Sequence, residues 1–285
     1  MPADHSLRSH ERISQWAGSF FPGLSASADG RRLALQKTTY HQQVYLGELT
    51  AGGTRMSPPP RRLSDDEGSE FASAWTADSK AVLFHSDRNG TWGIFKQGIN
   101  QDTAEVLVAG PQSLTLPRLS ADGNWILYHE RPKTPGPSTP VRLMRIPVGG
   151  GAPQLVLETR GEPDYRYARA PASLCVVSEP SADGKEVTYV AFDPVKGRGN
   201  TLRTIQNPTA EFLGVALSPD GTTLALSRTG EAEIRIRLLS LAGEPDHEFA
   251  VRGWPNLTGL DWSPDGKGLY CGSVSRKVAR FSTWI

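Results

Sequence analysis

Short apolar runs return along this chain, each opening just after a cluster of turn-forming residues. They pass through Leu33, Ala34 and Leu35; Val82, Leu83 and Phe84; Ile126, Leu127 and Tyr128; Leu224, Ala225 and Leu226; and Leu269, Tyr270 and Cys271. Runs this short and continuous, bounded by turn residues, predict strands covered on both faces. The preceding turn is one phrase: a hydroxyl residue, a small residue, an aspartate, then glycine or serine. It stands as Ser27-Ala28-Asp29-Gly30, Thr76-Ala77-Asp78-Ser79, Ser120-Ala121-Asp122-Gly123, Ser218-Pro219-Asp220-Gly221 and Ser263-Pro264-Asp265-Gly266. The aspartate accepts a backbone N–H further on, proline presets φ, and glycine takes a positive φ without steric cost.

The five aspartates are 49, 44, 98 and 45 residues apart. A repeat of about 40 to 50 residues built of strands is the signature of a propeller, whose blades pack face to face around an axis. The long interval holds one more blade. Ser181-Ala182-Asp183-Gly184 repeats the phrase but divides that interval into 61 and 37. Ala170-Pro171-Ala172-Ser173, followed by the run Leu174-Cys175-Val176-Val177, divides it near residue 172 into 50 and 48, so the inner turn is placed there. Residues 181–184 then form the next hairpin, leading into a strand at 187–192. Third strands are expected at 44–49, 93–99, 143–148, 187–192, 234–239 and 278–284, and fourth strands at 61–63, 104–108, 154–157, 201–205 and 247–251.

The last blade has no fourth strand of its own, and the strand-like run 11–16 has no blade before it. Pairing the two closes the ring and removes an unpaired edge. The expected fold is therefore all-β, a six-bladed β-propeller with an N-terminal strand closing the last blade. Residues 1–10 are expected to be a disordered tail and 11–285 a single domain.

A net charge of +1 gives no reason to expect nucleic acid or an anionic membrane as a partner. Hydrophobic content of 38 %, with 29 glycines and 22 prolines, suits a turn-rich β protein. No stretch approaches the roughly 18 apolar residues of a membrane span. The polar start, with Asp4, Arg8, Glu11 and Arg12, is unlike a secretory signal. A cytoplasmic monomer without membrane insertion is the expectation. Cys175 and Cys271 fall in apolar runs two blades apart, so both are expected to be buried free thiols.

Candidate chemistry is sparse. The chain has no Gly-x-Ser-x-Gly, His-Glu-x-x-His, Cys-x-x-Cys or Gly-x-x-x-x-Gly-Lys, so no catalytic residue, metal or cofactor is assigned. His85 and His129 each lie seven residues after a turn aspartate, at equivalent strand ends of adjacent blades. They are candidates for a ligand or metal site on a ring face, set against the reading that the column tolerates a histidine. Two histidines without a carboxylate fall short of a usual metal set. Arg118 and Asp261 each stand four residues before a turn aspartate. They are candidates for a polar site at the channel, set against an inter-blade salt bridge or solvated lining. The single aspartate of each turn phrase falls short of a calcium loop, and turn capping is its expected role. The segment 131–140, with two Pro-x-x-Pro spacings, and the weaker 56–60 are read as stiff loops that a partner could recognise. Asp65-Asp66-Glu67 reads as a solvated linking loop, and Asp87-Arg88-Asn89-Gly90 as a polar hairpin.

The Ser-Pro-Asp-Gly phrases, with Arg61-Arg62-Leu63-Ser64 before a new blade, resemble the WD40-like PD40 repeats of TolB-type propellers. Residues 192–199, with Gly259-Leu260-Asp261-Trp262 and residues 265–269, resemble the C-terminal propeller half of bacterial winged-helix regulators and Ser/Thr protein kinases. The likeness spans nearly the whole chain and implies fold more than activity. DNA binding and phosphoryl transfer are not carried over, because the chain from Met1 leaves no room for either partner domain, and its last residues, 275–285, look shortened for the family. The resemblance implies a non-catalytic sensory module that binds a protein or small ligand at a propeller face. That face is the one formed by loops entering first strands and leaving second strands. The alternative is a hydrolase or lyase with Arg118 and Asp261 at a channel site.

Overall fold

The computed structural model describes residues 19–27, 29, 32–39, 42–50, 53, 55–64, 68–134, 139–159, 163–206, 212–228, 234–252, 257, 259–273 and 280–284. Among them there are only strands, turns and loops, with no α-helix. Four sheets have four antiparallel strands in sequence order. The first contains β5 (Glu70–Trp75), β6 (Ala81–Ser86), β7 (Gly93–Gly98) and β8 (Glu105–Val108). The second contains β9 (Ser113–Leu119), β10 (Trp125–Arg131), β11 (Val141–Pro147) and β12 (Gln154–Thr159). The third contains β13 (Tyr165–Tyr167), β14 (Cys175–Pro180), β15 (Glu186–Asp193) and β16 (Gly197–Gln206). The fourth contains β17 (Phe212–Leu217), β18 (Thr223–Arg228), β19 (Ile234–Ser240) and β20 (His247–Val251). A fifth sheet has three strands, β21 (Gly259–Trp262), β22 (Leu269–Ser273) and β23 (Arg280–Trp284).

The fold is an all-β propeller, but among the described residues its blades number five, which corrects the expectation of six. Residues 19–62 supply two separate hairpins in place of one four-stranded blade. β1 (Ser19–Ala26) pairs β2 (Leu33–Thr39), and β3 (Tyr45–Thr50) pairs β4 (Arg55–Arg62). The physical reason lies in the second strand. β6 reads Ala-Val-Leu-Phe-His-Ser and is buried throughout, whereas β2 turns polar after Leu35. β3 is correspondingly exposed along most of its length. β4 also runs straight through Pro58, Pro59 and Pro60, where a loop was expected. The three prolines fall in the interruption between the Leu46–Arg61 and Glu48–Ser57 pairs, as residues lacking an N–H must. The expected closing strand at 11–16 and tail at 1–10 lie outside the described residues, as do 65–67 and 135–138 of the Pro-rich loop.

The remaining strand expectations hold within a few residues. The inner turn placed near residue 172 joins β13 to β14, where the Ala168 N–H donates to the Leu174 carbonyl. Ser181 to Gly184 forms the hairpin between β14 and β15. Apolar clusters fill the seams between blades. Leu83, Ile94, Ile126 and Tyr128 pack between the first two four-stranded sheets. Leu127, Leu143, Tyr165, Val177 and Phe192 pack between the second and third. Cys175 and Cys271 are buried free thiols, pushed up to about 12 and about 11, first of all by burial.

The turn phrase is a small hydrogen-bonded clasp. In the Ser120 turn the hydroxyl donates to Asp122, that carboxylate accepts the Asn124 N–H at 3.1 Å, and the Ser120 oxygen accepts the Trp125 N–H at 3.0 Å. The turns at Thr76, Ser181, Ser218 and Ser263 repeat it. The fourth position has φ of +72° at Gly123 and +57° at Ser79. A left-handed conformation costs a residue with a side chain about 1 kcal/mol. Ser79→Gly is therefore expected to raise stability by about that amount, read as a higher urea midpoint at unchanged slope.

Candidate binding face and central channel

First strands of neighbouring sheets lie against one another, β5 with β9, β13 with β17 and β17 with β21, and three arginines on or beside them reach from blade to blade. Arg118 on β9 donates from Nη1 to the Ser73 carbonyl of β5 at 3.4 Å, while its guanidinium lies 5.8 Å from the centre of the Tyr165 ring on β13. Arg166 on β13 donates to the Val215 carbonyl of β17 and pairs with Asp164. Burial first, and the Arg118 charge second, push the Arg166 guanidinium down to about 10. Arg169, just past β13, donates to the Trp262 carbonyl at 3.2 Å and sits 3.6 Å from the Asp261 carboxylate.

Arg118 and Asp261 lie on the first strands β9 and β21, but the structure does not pair them. Asp261 binds Arg169, and Arg118 is held by a carbonyl and a ring. Arg166 was missed in the sequence because its turn, 168–174, lacks the Ser-x-Asp phrase. The Ala168 bond across that turn matches the Ser120 bond to Trp125, which puts Arg166 in register with Arg118.

His85 and His129 sit at the ends of β6 and β10, turned into the seams between blades. His85 stacks on Phe71 with ring centres 4.9 Å apart, lies 5.3 Å from Trp92, and accepts the Leu116 N–H at Nδ1, 3.4 Å away. His129 is fully buried, with its ring edge-on to Tyr165 at 4.9 Å. Desolvation first, then Arg131, pushes His85 down to about 4; desolvation, then Arg131, Arg118, Arg166 and His85, pushes His129 down to about 3. Both imidazoles are therefore neutral at pH 7. Among the described residues no three histidine, cysteine, aspartate or glutamate side chains gather as a metal set.

Leu116 joins three blades. It bulges from β9 with φ of +54°, gives its N–H to His85, and accepts the Tyr165 hydroxyl on its carbonyl. The same hydroxyl reaches the Leu127 carbonyl at 3.0 Å. A left-handed leucine is a strained residue held by its surroundings.

The face at the start of β5 and the end of β6 is built on a buried ion pair. Glu70, its side chain wholly inaccessible, binds Arg88 and accepts the Ser64 hydroxyl. The Arg88 guanidinium also lies 4.8 Å from the Phe95 ring centre. The Ser69 N–H donates to Asp87 at 2.8 Å, drawing the two loops together. They approach so closely that a Cβ on Gly68 would stand 2.9 Å from the Arg88 backbone. The Asp87 to Gly90 hairpin is thus present, but Arg88 points inward. On the opposite side of β5 from Glu70, Phe71 stands 39 % exposed, 5.6 Å from Trp92.

No protein-family model and no curated protein matches the chain. Solved structures do match in fold. TolB from Acinetobacter baumannii superposes with a TM-score of 0.64 at 15 % identity, covering 84 % of this chain and 56 % of that one. The Myceliophteria thermophila Cps50 (Swd1) β-propeller domain gives 0.51 at 14 % identity, covering 93 % and 83 %. A Mycobacterium tuberculosis puromycin-hydrolyzing peptidase gives 0.56 at 15 % identity, covering 93 % of this chain and 50 % of the enzyme. The chain thus spans little more than half the length of TolB, and identities this low establish the propeller fold it shares with these proteins.

Proposed function

We propose that this propeller is a protein-binding module that carries out no chemistry of its own. The observation that supports the reading is the aromatic cluster near the loop face, where Phe71, His85 and Trp92 gather and Phe71 is left exposed. Exposed aromatic residues on a rigid support are the usual anchors of protein interfaces. The channel favours the enzyme reading less, because Asp261 lies beside Arg169 and Arg118 is bound to a carbonyl. The proposal includes the signalling context implied by the likeness to regulator and kinase propeller halves, and a monomer in the cytoplasm. Among the described residues no helix is long and apolar enough to cross a membrane.

A photo-crosslinking residue at Phe71, compared with one at Ala121 on the opposite turn face, tests the surface. The partner identified by the first is then purified and titrated. Phe71→Ala is expected to weaken that complex at least about tenfold, the size of effect seen for interface anchors. Crosslinking only from position 121, or an unchanged affinity, would sink the reading.

A further inference from the structure

Asn89 stands in the turn between β6 and β7 and is the only asparagine in the chain followed by glycine. Asn89 and Gly90 are both exposed. A Cβ added to Gly90 would meet nothing within 4 Å, so the peptide between the two residues lies open to water. Among the described residues the Asn89 side chain has no hydrogen-bond partner.

The other candidates are held. The Asn124 amide donates to Asp122 at 2.9 Å, and its following residue is the bulky Trp125. In the Asp-Gly pairs of the clasps the carboxylates of Asp122, Asp183, Asp220 and Asp265 each accept the N–H two residues on, at 3.0 to 3.1 Å. Each also accepts the hydroxyl two residues back. A carboxylate fixed in this way, and ionised, is a poor target for its neighbour's nitrogen. Asn89 has a neutral, unfixed amide beside a nitrogen that no side chain shields.

We propose that Asn89 is a self-modifying site. The Gly90 nitrogen attacks Cγ of Asn89, closing a five-membered succinimide, and the amide nitrogen leaves as ammonia with the proton from Gly90. Water then opens the ring. Attack at one carbonyl gives aspartate, and attack at the other gives isoaspartate, whose backbone is longer by one methylene. The Gly90 N–H donates to the Asp87 carbonyl at 2.7 Å, which ties the nucleophile down. The fold therefore sets the rate through local opening of this turn.

The product changes what the turn holds. Asp87 accepts the Ser69 N–H at 2.8 Å, and Arg88 is the partner of the buried Glu70. An extra methylene between Arg88 and Gly90 breaks the register of the Asp87–Gly90 closure. The new carboxylate, one residue from Arg88, competes with Glu70 for the guanidinium. Ageing at Asn89 thus loosens the brace between the β6–β7 turn and the start of β5.

The test incubates the full chain at pH 8 and pH 5 and follows each asparagine by peptide mass spectrometry, with isoaspartate assigned by fragmentation. Conversion of amide to acid is expected at Asn89 ahead of Asn100, Asn124 and Asn200. It should be faster at pH 8, where base removes the Gly90 proton, and faster still in urea, which opens the turn. The melting temperature should fall as the converted fraction grows. Asn89→Gln, which keeps an exposed amide but disfavours the five-membered ring, should hold its melting temperature through the same incubation. An intact Asn89, earlier conversion at another asparagine, or an equal melting loss in Asn89→Gln overturns the proposal. Should the variant fail to fold, the order of conversion in the wild-type chain still decides it.

Discussion

Acidification from pH 6.5 to 4 is expected to remove on the order of 5 kcal/mol of folding stability, most of it through two imidazoles. In the unfolded chain both histidines take up protons below about pH 6.5. In the folded chain burial and neighbouring guanidinium groups hold His85 at about 4 and His129 at about 3. Across that window the unfolded state binds more protons, so stability falls as pH falls. Each histidine contributes up to about 1.4 kcal/mol per pH unit. The turn aspartates act in a lower range. Hydrogen bonds from Thr76, Ser181, Ser218 and Ser263 hold Asp78, Asp183, Asp220 and Asp265 below the usual carboxylate value. Their contribution is complete above the unfolded value near 4 and is lost only as pH drops further. Urea unfolding should therefore show a steep segment between pH 6.5 and 4. In His129→Leu that segment should lose about half its slope. An unchanged slope in this variant would show that His129 titrates in the fold as it does in water.

Arg88→Ala is expected to cost about 3–5 kcal/mol, the usual penalty for stripping a buried ion of its partner. Glu70 has no exposed side-chain surface, and its described partners are Arg88 and Ser64. The substitution also removes the guanidinium lying over the Phe84 and Phe95 rings. Glu70→Gln with Arg88→Met replaces both charges by groups of similar size and should recover most of the loss. Stability measured for Glu70→Gln, Arg88→Met and the double variant gives the coupling directly. If the single costs simply add, Glu70 and Arg88 do not act as a pair. Trp92 follows the Asp87–Gly90 turn, so Arg88→Ala should also loosen its contact with Phe71.

The sequence carried the parts of the fold that depend on neighbours in the chain. The aspartate phrases became clasps because the hydroxyl, the carboxylate and the positive-φ residue all lie within six positions of one another. The apolar runs became central strands because continuous apolarity suits a strand covered on both sides. The same logic located the 168–174 turn and the two buried cysteines. It overcounted the blades because spacing records a repeat even where the repeat lacks the apolar residues to assemble. β2 keeps the phrase and the interval, yet turns polar halfway.

The candidate site was legible only in outline. Spacing placed Arg118 and Asp261 on first strands and His85 and His129 on second strands, and the structure has them there. What each one meets lies on another blade, the Leu116 at His85 31 residues along the chain and the Arg169 at Asp261 two sheets back. Arg169 taking Asp261, Arg88 turning inward to Glu70, and the Leu116 bulge serving His85 but not His129 are long-range events without a local signal. The chain by itself therefore determined a β-propeller of repeated, turn-clasped strands. The tertiary structure decided how many blades assemble, which charges neutralise one another, and which buried polar groups are left without a partner. Backbone turns are closed by residues a few positions apart, whereas burial and charge balance are settled only when distant strands pack.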